Sequence, residues 1–182
     1  VEIGDGELPS DGASDVEIRA GLIRLILLGL DPAAVPHAKG IRLRGARITG
    51  VLDFQGVDCA NDLSLSRCVL EKEPVFVNAR MRGVYLSGCV CPGISADNAV
   101  FDGSVYLRSG FEATGEIALP GAKINGDLQI CDARISGAGR AAIFANSLRV
   151  GGSIFLGDYP YDSADTELHA DGAVILSNID VE

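Results

Sequence analysis

Ile41 to Gly56 reads IRLRG ARITG V LDFQG, and Val57 to Gly103 continues in the same cadence: VDCAN D LSLSR CVLEK E PVFVN ARMRG VYLSG CVCPG ISADN AVFDG. Further along come IALPG AKING D LQICD ARISG from Ile117, IFANS LRVGG S IFLGD from Ile143, and LHADG AVILS N from Leu168. Two pentads and an occasional spacer make a unit of about 11 residues, the signature of a repeat array. The first and third places of each pentad are apolar or small. The third-place column holds Leu43, Ile48, Phe54, Cys59, Leu65, Leu70, Phe76, Met81, Leu86, Phe101, Leu119, Ile124, Ile130 and Ile135. The first-place column holds Ala46, Leu52, Cys68, Ala79, Cys89, Ala99, Ala122, Ala133 and Ala173. Gly, Asn or Ser is frequent at the fifth place.

Apolar–x–apolar is a short strand with one buried face. A small or turn-forming fifth residue bends the backbone after each such strand. Four sides then close a square coil of about 20 to 22 residues, and coils stack about 4.8 Å apart through parallel ladders. No side buries its face alone; stacking makes one continuous interior column. Residues 40–182 are expected to form roughly six coils, a rod of about 30 Å.

The pentads ARITG, AVFDG and AKING resemble degenerate members of the pentapeptide-repeat superfamily, and that resemblance implies a right-handed quadrilateral parallel β-helix. The phrases GARITGVLDF, PVFVNARMRGVYLSGC and GEIALPGAKINGDLQI are similar to uncharacterised bacterial proteins often labelled membrane-associated oxidoreductases. The resemblance covers Gly40 to the C-terminus. Spacers, and the rarity of Asp or Asn at second places, depart from the strict repeat.

The segments Gly137–Ala141 and Asp158–Glu167 do not fit the pentad frame and are expected to bulge as loops. Residues 1–12 are acidic, Gly-rich and aperiodic, and read as a loose arm. Residues 13–39 read as a helical cap and connector. Ser14 is placed to N-cap a helix, Glu17 to complete a capping box, and Gly29 with Pro32 to end it. Ile18, Leu22, Leu25, Ile26 and Leu28 are its apolar face, expected to cover the first coil as solenoid ends require. The alternative use, docking on a membrane surface, needs a Lys/Arg-rich polar face, and only Arg19 and Arg24 are present.

Of 182 residues, 47% are hydrophobic, yet there is no Trp and aromatics make up 5%, so Ile, Leu, Val and Ala must fill the core. The net charge of −10 is unevenly placed. Residues 1–31 carry seven acids and two bases, residues 150–182 carry seven acids and no Lys or Arg, and the body between is near neutral. A basic nucleic-acid-binding face is excluded on that pattern. The five Cys, an odd number without zinc-like CxxC pairs, fit a reducing compartment. A cytoplasmic location follows, with peripheral membrane attachment only through parts outside this chain, which opens at Val1 and reads as a piece of something longer.

There is no GxGxxG after a strand, no P-loop, no HExxH and no GxSxG. No catalytic residue, cofactor or metal site is therefore expected, and the oxidoreductase label is not adopted. His37 falls in the connector and His169 at an outward second place. Cys59, Cys68, Cys89 and Cys91 fall in inward slots; Cys68 and Cys89 lie about one coil apart, within reach of a disulfide. Cys131 falls at an outward slot, which makes it the expected reactive thiol.

The most distinctive surface element is the acidic-aromatic loop Asp158, Tyr159, Tyr161, Asp162, Asp165 and Glu167, the candidate partner-binding segment. Its spacing matches no calcium loop. The sequence thus points to a non-catalytic scaffold for an unknown protein partner. The alternatives are an acidic rod that mimics nucleic acid and binds DNA-handling enzymes, or a domain of a membrane-associated oxidoreductase. The last repeat leaves an open edge on which a second copy could stack, or which could continue in the native protein.

Overall fold

The computed structural model describes residues 5–10, 16–33, 35–157 and 167–182. They form a parallel β-solenoid of about five turns, with a single short helix near the N-terminus. The coil period can be read from the ladder. Ile41 stands beside Leu63, then Val84, Val105, Leu128 and Ile154, offsets of 22, 21, 21, 23 and 26 residues. Every pairing between strands is parallel, as stacked coils of one hand require.

The four sides follow from the pentads. The first side begins at β2 (Ile41–Arg44) and the second at β3 (Arg47–Thr49). The third passes through Asp53, Val75, Ser95, Ala118, Phe144 and Ile175, and the fourth through Asp58, Arg80, Val100, Lys123, Arg149 and Asp180. Some strands run through a corner: β4 (Asp58–Ser66) belongs to the fourth side and then to the first. All fourteen residues of the third-place column are buried, and so is the first-place column from Ala46 to Ala133. Phe54 stacks on Phe76 at 5.8 Å between ring centroids with planes 1° apart, and Phe76 meets Phe101 edge-on at 6.1 Å.

The fifth-place residues explain the corners. Gly56, Asn78, Asn98, Gly121, Ser147 and Asn178 all have φ between 53° and 66°, one above another. Asn and Gly are the residues that enter this left-handed region most readily. A second corner stacks Gly45, Arg67 and Gly88 in the same conformation, and it widens in the next coil, where Ser109 and Gly110 are both left-handed and Phe111 turns fully inward. A non-glycine residue held there costs roughly 1 kcal/mol or more.

The expectation of roughly six coils gives way to about five because two coils are longer than the rest. The segment Gly137–Ala141 bulges outward, as its misfit predicted, and lengthens its coil to 26 residues. The next coil grows to 35 residues on the second side, where His169 stands beside Arg134, because Asp158–Glu167 intervene. In that coil the frame also slips by one: Val174, not Ala173, stands beside Ile143, so Ala173 leaves the inward column and is exposed.

The N-terminal segment differs in detail from its expectation. The helix α1 spans Ala20–Leu27, and Arg19, without a side-chain cap, precedes it. Glu17 is no capping-box partner, because Glu17–Arg19 (β1) pair with β3 as an extra rung on the second side. Ladder pairing in that stretch outcompetes the local cap signal. The C-terminal end is as expected. Gly29 is left-handed and donates to Ile26 O at 3.1 Å, while Leu30 N donates to Leu25 O at 3.0 Å, the double closure of a glycine-ended helix. The buried stripe is Ala20, Ile23 and Leu27, a one-residue rotation from the expected face that leaves Leu22 48% exposed. Asn61 Nδ2 donates to Leu27 O at 3.0 Å and Arg24 Nε to Asp53 O at 2.9 Å, fixing α1 across the end of the first coil.

Candidate interaction surface

Second-place residues of the first side stack outward as Arg42, Ser64, Tyr85, Tyr106, Gln129 and Phe155. The Tyr85 and Tyr106 rings meet edge-to-face at 5.2 Å, and the Arg108 guanidinium lies 4.7 Å from the Tyr106 ring centre. Arg108 Nη1 also donates to Gln129 Oε1 at 3.1 Å. Gln129 is 2% exposed although its slot points outward, so this bond satisfies a carbonyl removed from water. Burial raises the Tyr85 hydroxyl above its ordinary pKa, with the nearby Asp62 carboxylate adding to the effect. Ladder hydrogen bonds to the coils on either side hold the backbone of the stripe.

Around the next corner, Gly110, Phe111, Glu112, Asp132, Arg134, Glu167 and His169 line a pocket of about 360 Å³. Its floor is the fully buried Phe111 and its walls are charged. Glu167 Oε2 lies 3.4 Å from His169 Nε2. Of the candidate loop residues, Glu167 alone is described; Asp158, Tyr159, Tyr161, Asp162 and Asp165 lie outside the described residues. The loop's two ends are placed by the ladder: Gly157 N donates to Ile130 O at 2.9 Å, and Ala133 N donates to Glu167 O at 3.2 Å. The segment therefore leaves and rejoins the solenoid at the corner between the Tyr–Arg stripe and this pocket. The stripe was missed in the sequence. Its signal was the recurrence of Tyr at the second place of VYLSG and VYLRS, one coil apart.

The cysteines need one correction. Cys131 is 2% exposed and its Sγ donates to Phe155 O at 3.7 Å, so it is not an accessible thiol. Being outward in the pleat did not leave it open to solvent. Cys59, Cys68, Cys89 and Cys91 are buried as expected, and all five are free. Cys68 and Cys89 share a hydrogen bond that lowers Cys68 and holds Cys89 well above the ordinary thiol range, burial adding to the second effect. Burial pushes Cys91 up to about 12. Lys39 N donates to His37 Nδ1 at 3.1 Å within the connector.

Two further features complete the surface. A groove of about 530 Å³ runs along α1, lined by Ile18, Leu22, Ile26, Val35 and Ile41, with Lys39 and Arg42 at its edge. At the opposite end, Val174, Leu176 and Val181 of the last coil are 40–51% exposed, although their counterparts Ile143, Ala145 and Val150 one coil earlier are buried. Among the described residues, no group of three or more His, Cys, Asp or Glu could hold a metal ion. No helix among them is long and apolar enough to cross a membrane.

No protein-family pattern, curated protein or solved structure matches this chain. The fold is therefore a parallel β-solenoid on its own geometry, and neither the pentapeptide-repeat nor the oxidoreductase resemblance has a match behind it.

Proposed function

We propose that the protein is a non-catalytic interaction scaffold of the pentapeptide-repeat-like type, with its contact surface on the first side and the adjoining corner. One observation carries the reading: Tyr85, Tyr106 and Arg108 form a continuous aromatic–guanidinium stripe on a ladder-locked face. Tyr and Arg are the side chains that dominate protein-contact energetics. They bury much area with few rotors, and their polar tips tolerate a wet rim. Mounted on stacked strands they lose little further freedom on binding. The candidate loop springs from the same corner, so loop and stripe can address one partner together. A reducing compartment, as the five cysteines suggest, is where such a partner would be sought.

The test is affinity capture with the tagged full chain from soluble and membrane fractions, beside a Tyr106→Ala/Arg108→Glu variant. Both residues are only half-buried and outward, so the variant is expected to fold, as circular dichroism would verify. A near-stoichiometric partner captured by the native chain and lost by the variant supports the reading. A partner kept equally by both, or none in either fraction, refutes this placement of the surface.

The exposed apolar residues of the last coil favour a second reading, in which two copies stack end to end. Strand edges and apolar side chains left uncovered in one coil are what such stacking, or further coils of a longer chain, would satisfy. Sedimentation of the native chain against Val174→Lys/Val181→Lys decides it. Self-stacking predicts a dimer that the variant loses, and a monomer at all concentrations removes it.

A further inference from the structure

We propose that Arg44, Arg47 and Arg67 form a docking site for a short acidic peptide segment, occupied here by the chain's own residues Asp5–Ser10. Residues 1–12 were expected to be a loose arm, yet Asp5–Ser10 lie against the solenoid. Arg44 Nε donates to Gly6 O at 2.8 Å, and Arg47 Nη2 donates to Ser10 O at 2.9 Å. Between those two carbonyls, the Glu7 carboxylate takes Arg67 Nη1 on one oxygen and faces Arg44 Nη2 at 3.9 Å with the other. Gly6 is buried by the contact. Three guanidinium groups from two neighbouring coils thus hold one short segment at three points.

The chemistry of those points defines the occupant. Two arginines grip backbone carbonyls and carry no demand on side chains. The third contact selects a carboxylate, and the buried glycine before it has φ 73°, a backbone conformation that other residues adopt only with strain. The site thus fits a bent stretch with Glu preceded by Gly, and with a free carbonyl three places on. Guanidinium suits this task because its fork of donors meets carboxylate and carbonyl oxygens in one plane.

A separate observation concerns Arg67 itself. It has φ 49° in a corner where Gly45 and Gly88 stand one coil before and after. The described non-glycine residues in this conformation are otherwise Asn, Asp, Ser and Ala, all short. Gly88 stands beside the Arg67 stem: a Cβ built there would be in ordinary contact with Arg67 Cγ at 3.5 Å. A long cation is therefore kept in a strained corner that glycine would fill without strain, and its charged end holds the arm. Strain of this kind points toward function.

In cis, a tethered arm acts at an effective concentration on the order of millimolar, so a contact of only modest affinity between molecules still keeps the site covered. A partner's acidic segment must outcompete it. The arm acts as a threshold on binding, and it would weaken with salt because its contacts are exposed ion pairs. Arg44 stands three coils from Arg108 along the same first side, and failure of the arm site would leave the scaffold reading untouched.

The experiment uses the full chain and a dye-labelled peptide, DGELPS, with the sequence of Asp5–Ser10, read by fluorescence anisotropy at low ionic strength. In the variant Glu7→Lys the arm is repelled and the site vacated. It should bind the peptide at least about ten-fold more tightly than the native chain. Adding Arg67→Gly, which suits the corner's backbone and keeps the fold, should reverse that gain, and the peptide DGQLPS should bind several-fold more weakly than DGELPS. The proposal is overturned if native and Glu7→Lys chains bind alike, including not at all. It also fails if Arg67→Gly leaves the gain in place, or if the Gln peptide binds as well as the Glu peptide.

Discussion

Replacing Phe76 by Ala should be among the most damaging single changes to this fold. Phe76 is 1% exposed and stands in the middle of an aromatic column, stacked on Phe54 at 5.8 Å and edge-on to Phe101 at 6.1 Å. Emptying a buried Phe site costs about 3–5 kcal/mol, and the stiff ladders around this one allow little collapse. Phe54 and Phe101 each have one of these ring contacts with Phe76, whereas Phe76 has both. A ring pair is worth roughly 0.5–1.5 kcal/mol beyond area, so Phe76→Ala should exceed Phe54→Ala or Phe101→Ala by about that amount. With a urea slope of about 2.5 kcal/mol/M, a loss of about 4 kcal/mol moves the unfolding midpoint down by roughly 1.5 M. Urea titration followed by far-ultraviolet circular dichroism measures it, with the three variants compared at equal slope. A Phe76→Ala loss below about 1.5 kcal/mol, or one no larger than either single-pair control, would refute the stacked-column reasoning.

Three further outcomes follow from the same geometry. The Cys91 thiol is raised from an ordinary 9.0 to about 12 by burial, so its contribution is fully present below about pH 9 and is lost as pH climbs toward 12. Between those limits the native chain should lose up to about 1.4 kcal/mol more per pH unit than Cys91→Ala, and parallel stability–pH curves would contradict this. Asn78 has φ 54° at its corner; Asn78→Ala should cost about 1 kcal/mol more than Asn78→Gly in thermal unfolding, and equal losses would sink the left-handed assignment. All five cysteines are buried, so a thiol reagent should label none of them in the native chain at the rate of the unfolded one; rapid labelling of Cys131 would show its burial to be wrong.

The sequence carried the repeat because each coil uses the same physical device four times. Apolar residues alternate inward, and a residue able to turn left-handed closes the pentad. That is why Leu43, Phe76 and Ile130 could be placed in the core from spacing alone, and why the misfit of Gly137–Ala141 marked a bulge. The reading broke down where long-range pairing overrides local signals. Glu17 looked like a capping residue, but the ladder with Arg47 claimed it for a strand. Ala173 looked like a first-place residue, but the register after the long insertion is set by the coil below it, and that coil chose Val174. Cys131 occupied an outward slot, and outward in the pleat did not mean open to water. The site was less legible still. The candidate loop was marked by composition, whereas the Tyr–Arg stripe and the arm on Arg44, Arg47 and Arg67 arise from residues tens of positions apart, brought together only by stacking.

The stack itself is tested most directly by the distance between Asp58 and Asp180. These exposed residues of the fourth side are 122 positions apart in sequence and joined through Arg80, Val100, Lys123 and Arg149 by five successive ladder steps. Spin labels on Asp58→Cys and Asp180→Cys, measured by pulsed electron resonance, should give a narrow distribution centred near 24 Å, five spacings of about 4.8 Å. A broad distribution, or a mean beyond about 40 Å, would contradict the stacked parallel coils on which the whole account stands.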